Sequence, residues 1–260
     1  MRVLITGGTG ALARELLSAA RTLDIALRLS SRRPPAENAP HQEWIGADLA
    51  TGAGLPNALH DVTTIVHTAS DFTRSHQVDV EGTKRLLDAS RIAGVSHLIY
   101  VSIVGIDRIP YRYYRHKLAA EQLIEAGPVP FTILRATQFH SLINSLLTTA
   151  ARCPLVMPLP VRFQVQPVAT RDVARRLVQA ILDGPRQHAP DFGGPETLSL
   201  GDAARAWKAA TGISKPVLPI FLPGKVAAAF RAGSNTVQSD VRGTITWREW
   251  LSQRYQTGRA

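Results

Sequence analysis

Through the first 135 residues, short β-branched apolar runs alternate with stretches whose apolar positions recur at helical spacing. The pattern predicts strands over 2–6, 25–30, 43–45, 63–67, 97–102 and 131–134, with helices over 11–21, 52–59, 78–93 and 113–125 between them. Several strands, such as the TIVHT and LIYVS runs, are apolar on both faces, as strands covered by helices on each side must be. Strand and helix in strict alternation specify βαβ units and a parallel sheet.

Beyond Arg135 the rhythm changes. Prolines cluster at 154, 158, 160 and 167, at 185, 190 and 195, and at 216, 219 and 223. Helical patterns persist at 171–182, 200–210, 225–232 and 246–255, but strands become short. The reading is a nucleotide-type α/β domain over 1–152, followed by a smaller lobe over 153–260 interleaved with the sheet's carboxyl ends, where α/β folds bind ligands.

Composition narrows the classes. With 260 residues the chain buries a full core without metal or disulfide, and a single cysteine, Cys153, excludes an internal disulfide framework. No CxxC pair or tight His/Cys cluster occurs, so no metal is expected. The net charge of +10 comes from 25 arginines and 5 lysines scattered without a basic run, which argues against nucleic acid as a partner. The amino terminus lacks the apolar core of a signal peptide and no stretch approaches 18 uninterrupted apolar residues, so a cytoplasmic protein without a membrane partner is expected.

The strongest local signal is Thr6-Gly7-Gly8-Thr9-Gly10-Ala11-Leu12-Ala13, which directly follows the first strand and opens the first helix. Gly7 permits a tight turn, Gly10 lets the backbone approach a pyrophosphate, and Ala13 is small enough for the helix to pack on the strand. Free N–H groups and the helix dipole then face the anion, which assigns Gly7, Thr9, Gly10, Ala11 and Leu12 to a dinucleotide phosphate site. This is the signature of a Rossmann doubly wound α/β sheet with helices on both faces.

The end of the second strand selects the cofactor. An NAD site uses an Asp or Glu there for the ribose 2′-OH, whereas this chain reads Ser30-Ser31-Arg32-Arg33. Guanidinium groups suit a 2′-phosphate, so NADP(H) is expected, with Arg32 as main contact and Ser31 and Arg33 assisting. Asp48 and Leu49 end the third strand, where Asp48 serves either the adenine amino group or the next helix as a cap, two roles the sequence leaves open. His67 is read as a packed, hydrogen-bonded histidine, and Thr68, Ala69 and Ser70 as small residues under the cofactor.

With these pieces placed, the chain resembles the atypical short-chain dehydrogenase/reductases of the NmrA-like NAD(P)-binding group. The resemblance rests on TGGTGALA at 6–13, DVEGTKRLLDA at 79–89, YVSIVGID at 100–107, YYRHKLAAEQ at 113–122 and ILRATQFH at 133–140. It implies a catalytic Tyr113 and Lys117 in a Y-x-x-x-K pair, with the lysine also binding the nicotinamide ribose. At i and i+4 on a helix the two side chains share a face, and an ammonium beside a phenol favours the phenolate. The alternative is a packing cluster of Tyr111, Tyr113 and Tyr114, with Lys117 alone on the ribose. The resemblance places Ser102 and Thr137 beside the cofactor, and Val104, Gln138, Phe139 and His140 along the substrate pocket; the alternative for Gln138, Phe139 and His140 is that they stabilise the hinge to the second lobe. It also carries the expectation of a homodimer.

Two positions depart from the family pattern. Val104 stands where a Ser or Thr orients the substrate oxygen, and Asp79 stands where an asparagine is common. Asp172 is read as a helix N-terminal carboxylate, and Trp247 and Trp250 as core or dimer contacts. The expected function is NADPH-dependent reduction of a small planar carbonyl or quinone-like substrate. The rival is a non-catalytic NADP(H)-binding redox sensor acting through protein contacts, and a nucleotide-sugar epimerase or dehydratase is a third reading.

Overall fold

A computed structural model describes residues 1–21, 23–35, 42–238 and 240–256. In chain order the elements are β1 (Arg2–Thr6), α1 (Ala11–Ala19), β2 (Ala26–Ser31), β3 (Glu43–Gly46), α2 (Leu55–Ala58), β4 (Thr64–His67) and α3 (Gly82–Ile92). Then come β5 (His97–Ile103), α4 (Arg112–Glu125), β6 (Phe131–Ala136), α5 (His140–Ala150), β7 (Met157–Leu159), β8 (Gln164–Val165) and α6 (Thr170–Asp183). The chain continues through β9 (Gln187–His188), β10 (Leu198–Ser199), α7 (Leu200–Thr211), β11 (Val217–Pro219), α8 (Lys225–Arg231) and α9 (Trp247–Gln256).

The seven-stranded parallel sheet runs β3-β2-β1-β4-β5-β6-β9. Val3, Leu4 and Ile5 of β1 and all four residues of β4 are buried, because helices cover both faces of the central strands. The order reverses between β1 and β4, which pair in register with Thr6 opposite His67, while Thr6 lies opposite Ser30 on the other side. A crevice opens at the carboxyl ends of strands flanking such a reversal.

Six of the predicted strands and eight of the predicted helices form, with shifted ends. The helix predicted over 78–93 begins as a π-helical segment, His76–Glu81, that runs into α3. The helix predicted over 52–59 shortens to α2, because Gly52 and Gly54 both take positive φ. Helix α5 and the strands β7 to β11 were not predicted. The two-residue β9 completes the sheet at its edge with exposed, polar Gln187 and His188, so no apolar run marks it.

The chain divides into two compact units, and a single cut after residue 152 does not separate them. One comprises Met1–Ser102, Arg112–Arg135 and Val173–Ala189, and holds most of the sheet. Its core gathers Leu4, Leu59, Ile65, Leu86, Leu98 and Ile133 with their neighbours. The other comprises Ile103–Tyr111, Ala136–Asp172 and Pro190–Ala260. It packs Leu147, Met157, Leu159, Leu200, Trp207 and Trp247 into its own core. Trp247 is fully buried and stacks on Trp250 with centroids 5.4 Å apart. Among the described residues, no helix is long and apolar enough to cross a membrane.

Candidate active site

The glycine turn has the shape its sequence requires. Gly7 has φ +71°, and a Cβ there would lie 2.9 Å from Ala69 Cα, so only glycine fits without displacing the strand-end backbone. A Cβ on Gly10 would approach the Gly7 carbonyl to 3.1 Å. The Gly10 amide donates to that carbonyl at 2.9 Å, closing the turn. No side chain caps α1, so its leading N–H groups are left for an anion. This cradle of bare backbone at a helix N-terminus fits a dinucleotide pyrophosphate.

The turn forms one wall of a groove at the sheet reversal. Thr6, Gly7, Thr9 and Gly10 line it with Ser31 and Arg32 from the end of β2, Asp48 and Leu49 after β3, and Thr68, Ala69 and Ser70 after β4. Ser30, Ala47, Leu55, Asp71 and Val78 also line it and were not anticipated. Most of the expected cofactor residues therefore share one groove. Ala11 is exposed beside it, whereas Leu12 points into the core, so its contribution to the cradle is its backbone. Asp48 Oδ1 accepts from the Ala50 amide at 2.9 Å while the residue lines the groove, and the N-cap of α2 is Gly54, so Asp48 does not cap that helix.

Arg32 and Arg33 separate. Arg32 lines the groove and its guanidinium lies 4.0 Å from Asp71 Oδ2, a carboxylate also held by Arg74 at 3.1 Å. Arg33 is exposed outside the lining, and its amide donates to Ser31 Oγ at 3.2 Å. No carboxylate stands at the end of β2 itself.

Beneath the groove a hydrogen-bonded chain braces β1, β4 and α3. The Thr83 hydroxyl donates to the Asp79 backbone carbonyl at 2.6 Å, so its oxygen accepts from His67 Nε2 at 3.1 Å. His67 Nδ1 in turn accepts from the Thr6 hydroxyl at 2.7 Å. Burial holds the His67 pKa down to about 3, with Lys117 adding to the effect, so the ring is neutral and structural.

The Tyr113 hydroxyl lies 2.7 Å from Ser70 Oγ, and Ser70 donates to Asp79 Oδ1 at 2.6 Å. Lys117 Nζ is 3.8 Å from the same carboxylate oxygen, donates to the Val101 carbonyl at 3.0 Å and sits 4.1 Å from the centre of the Tyr100 ring. Burial draws the Lys117 pKa down to about 8 against the opposing pull of Asp79 and Glu121. Burial also raises the Asp79 pKa, opposed by Lys117 and by the Ser70 hydrogen bond. Ser70 thus links Tyr113 to Asp79, a connection the linear sequence hides because the three residues come from different elements. The clue it offered was the acid at 79.

Most of the side chains expected on the substrate side have structural partners, in keeping with the bracing alternative. Gln138 donates to the Asn235 carbonyl at 2.9 Å and accepts from the Gln166 amide at 3.0 Å, so its amide braces the second unit. Thr137 is used likewise, donating to the Gln166 carbonyl at 2.6 Å and accepting from the Gly194 amide at 3.3 Å. His140 is buried against Trp247 and Trp250 at centroid distances of 5.7 and 5.5 Å. Val104 is fully buried with its amide bonded to the Ala136 carbonyl at 3.0 Å. Phe139 alone of that set stays partly exposed. Ser102 is buried with an unpartnered hydroxyl. Asp172 accepts from the Thr244 and Ile245 amides at 2.8 and 3.2 Å, a structural role.

Residues 6–184 match the profile of a family described as NAD(P)H-binding. A (4-alkanoyl-5-oxo-2,5-dihydrofuran-3-yl)methyl phosphate reductase of Streptomyces griseus is 25% identical over 263 residues, covering 94% of this chain and 89% of that protein. Photosystem II assembly factor Ycf39 of Trieres chinensis is 25% identical over 247 residues, covering 88% of this chain and 76% of its own length. In fold, the chain is similar to the NADPH-dependent quinone oxidoreductase QOR2 of Escherichia coli complexed with NADPH, with TM-score 0.82 at 17% identity over 97% and 99% of the two chains. The glycine cradle, the groove and the helix bearing Tyr113 and Lys117 all fall inside the matched span, and the chain belongs to the family described as NAD(P)H-binding.

Proposed function

We propose that the protein is an NADPH-dependent oxidoreductase that reduces a small planar carbonyl or quinone-like substrate. The observation that carries this reading is the Tyr113 hydroxyl, bonded through Ser70 at the edge of the groove and tied to a buried Asp79–Lys117 pair. A partly exposed phenol hydrogen-bonded to a groove-lining serine that leads to a buried acid can exchange a proton with a ligand beside it. Relatives whose names include a reductase and a quinone oxidoreductase support the same reaction class.

The preference for NADP(H) is part of the proposal. Arg32 lines the groove at the end of β2, where no carboxylate stands to accept from a ribose 2′-OH. A guanidinium there favours a 2′-phosphate through charge-assisted hydrogen bonds. The bound nicotinamide supplies the hydride. Gly7, Gly10 and the leading amides of α1 would hold the pyrophosphate, Lys117 would supply positive charge behind Tyr113, and Tyr113 would donate the proton that the substrate oxygen needs.

The test is calorimetric titration with NADPH, NADP⁺, NADH and NAD⁺, then NADPH oxidation across a panel of quinones and carbonyls on the same sample. Tight, NADP-selective binding with turnover is expected. Tight binding without turnover on any panel member sinks the reductase reading and favours a redox sensor that signals through protein contacts.

A further inference from the structure

Asp79 is a carboxylate held behind the groove, outside its lining. Its side chain is fully buried, yet its oxygens are served: Ser70 Oγ donates to Oδ1 at 2.6 Å and the Asp71 amide donates to Oδ2 at 3.3 Å. The charged and titratable groups around it are Lys117, Tyr113, Glu121 and His116 from α4, Asp71 from the loop after β4, and Tyr100 from β5. Lys117, 3.8 Å away and almost fully buried, is the nearest cation. An asparagine in this place would satisfy the same hydrogen bonds in part, but it can neither store nor release a proton. The acid is therefore a chemical difference as well as a spatial one.

Hydroxyl counting orders the chain. Ser70 has a single proton, and it is directed at Asp79, so the 2.7 Å contact with Tyr113 must be made by the tyrosine proton when the carboxylate is ionised. The polarity runs Tyr113 to Ser70 to Asp79. With Asp79 protonated the chain reverses, and Ser70 donates to Tyr113. Both states use the same three heavy-atom positions, so switching between them requires proton movement and hydroxyl rotation only.

We propose that Asp79, acting through Ser70, is a proton store that recharges Tyr113 during the reaction. The inference rests on the reading of Tyr113 as proton donor. In the reducing direction the Tyr113 O–H bond breaks as the substrate O–H bond forms, leaving a phenolate. The Ser70 proton passes to that phenolate and the Asp79 carboxyl proton passes to Ser70, so the net loss is one proton from Asp79. The resulting carboxylate is neutralised by Lys117, and solvent restores the acid through the exposed Ser70 edge between turnovers. Oxidation runs the same transfers backwards. Burial of Asp79 raises its affinity for the proton, opposed by Lys117 and by the Ser70 and Asp71 hydrogen bonds. Asp79 touches neither substrate nor cofactor in this role and is a positioning residue for Tyr113.

The experiment labels the protein with [13Cζ]tyrosine, assigns the Tyr113 signal by its loss in Tyr113→Phe, and titrates wild type, Asp79→Asn and Ser70→Ala without added ligand. In the wild type the Tyr113 signal is expected to follow two steps, one from its own ionisation and one from Asp79. Asp79→Asn abolishes the second step, and Ser70→Ala, an exposed substitution that leaves the core intact, reduces it several-fold. The companion measurement is the pH profile of NADPH-dependent turnover. Wild-type kcat for reduction falls as pH rises through the Asp79 titration, and that limb disappears in Asp79→Asn while KM for NADPH stays unchanged. A single-step Tyr113 titration identical in all three proteins overturns the relay, even in an active enzyme. A coupled titration in a protein that turns over no substrate retains the coupling and overturns the reductase reading.

Discussion

Buried polarity is organised differently in the two units. In the sheet-bearing unit a cluster of ionisable groups, Asp79, Lys117 and Tyr100, lies under the groove, and Glu121 forms a bidentate pair with Arg135. In the second unit, beside the buried Asp172 and His140, neutral amides bonded to backbone are prominent. Gln166 donates to the Gly194 carbonyl at 2.9 Å and accepts from the Val237 amide at 2.8 Å, Gln138 bridges residues 166 and 235, and Asn235 donates to the Gln164 carbonyl at 2.9 Å. A neutral amide satisfies irregular backbone at little electrostatic risk, whereas a buried acid and ammonium carry a desolvation cost that hydrogen bonds only partly offset. Buried charge also serves structure, as Arg28 on Glu43 and Asp172 on the Thr244 and Ile245 amides show, so the cluster under the groove is distinguished by its link to the partly exposed Tyr113.

Substitutions in each unit can break that contrast. The largest effect is expected from Tyr113→Phe, which removes the proton donor and lowers turnover by about 10²–10⁴ while leaving cofactor affinity nearly unchanged, as steady-state kinetics and calorimetry would reveal. Undiminished turnover would remove Tyr113 from the chemistry. Gly7→Val forces a side chain into a positive φ and against Ala69, and should weaken NADPH binding by roughly a hundredfold in the same titration.

Gln166→Ala belongs to the other side of the comparison. It strands the Gly194 carbonyl and the Val237 amide, and should cost about 2–4 kcal/mol in denaturant unfolding with no change in NADPH affinity of the folded protein. A large loss of affinity in well-folded protein would show that this unit's amides serve the ligand after all. Arg32→Ala should weaken NADPH by about tenfold and leave NADH within about twofold, since it removes a contact made only to the 2′-phosphate. Equal losses for both cofactors would remove Arg32 from the phosphate site.

The smallest and most specific test is the acid limb of stability. Burial lowers the His140 pKa from 6.5 to about 4, so the unfolded chain binds a proton at a pH where the native ring remains neutral. The His140 contribution is intact above about pH 6.5 and is lost progressively as pH falls towards 4. His67 and His97, lowered to about 3 and about 4 by burial, act in the same sense. Unfolding of His140→Phe measured between those pH values should show a shallower decline than wild type. An unchanged slope would mean that the ring gains proton access without unfolding.

The sequence alone determined the doubly wound sheet, the glycine cradle and the placement of Tyr113 and Lys117 one turn apart on one helix, because periodicity, positive-φ glycines and i,i+4 spacing are local properties. It also supplied Arg32 at the end of β2, since a strand end is defined by the few residues around it. Tertiary structure alone decided what those groups meet. Ser70 lies 43 residues from Tyr113 and nine from Asp79, and only the sheet order brings the three together. The same holds for Gln138, Thr137 and His140, whose motif fits a ligand pocket or a brace and whose partners lie as far on as Asn235 and Trp250. A polar side chain is committed to structure or left for chemistry by the long-range partner that reaches it, and that partner is fixed by packing over the whole chain.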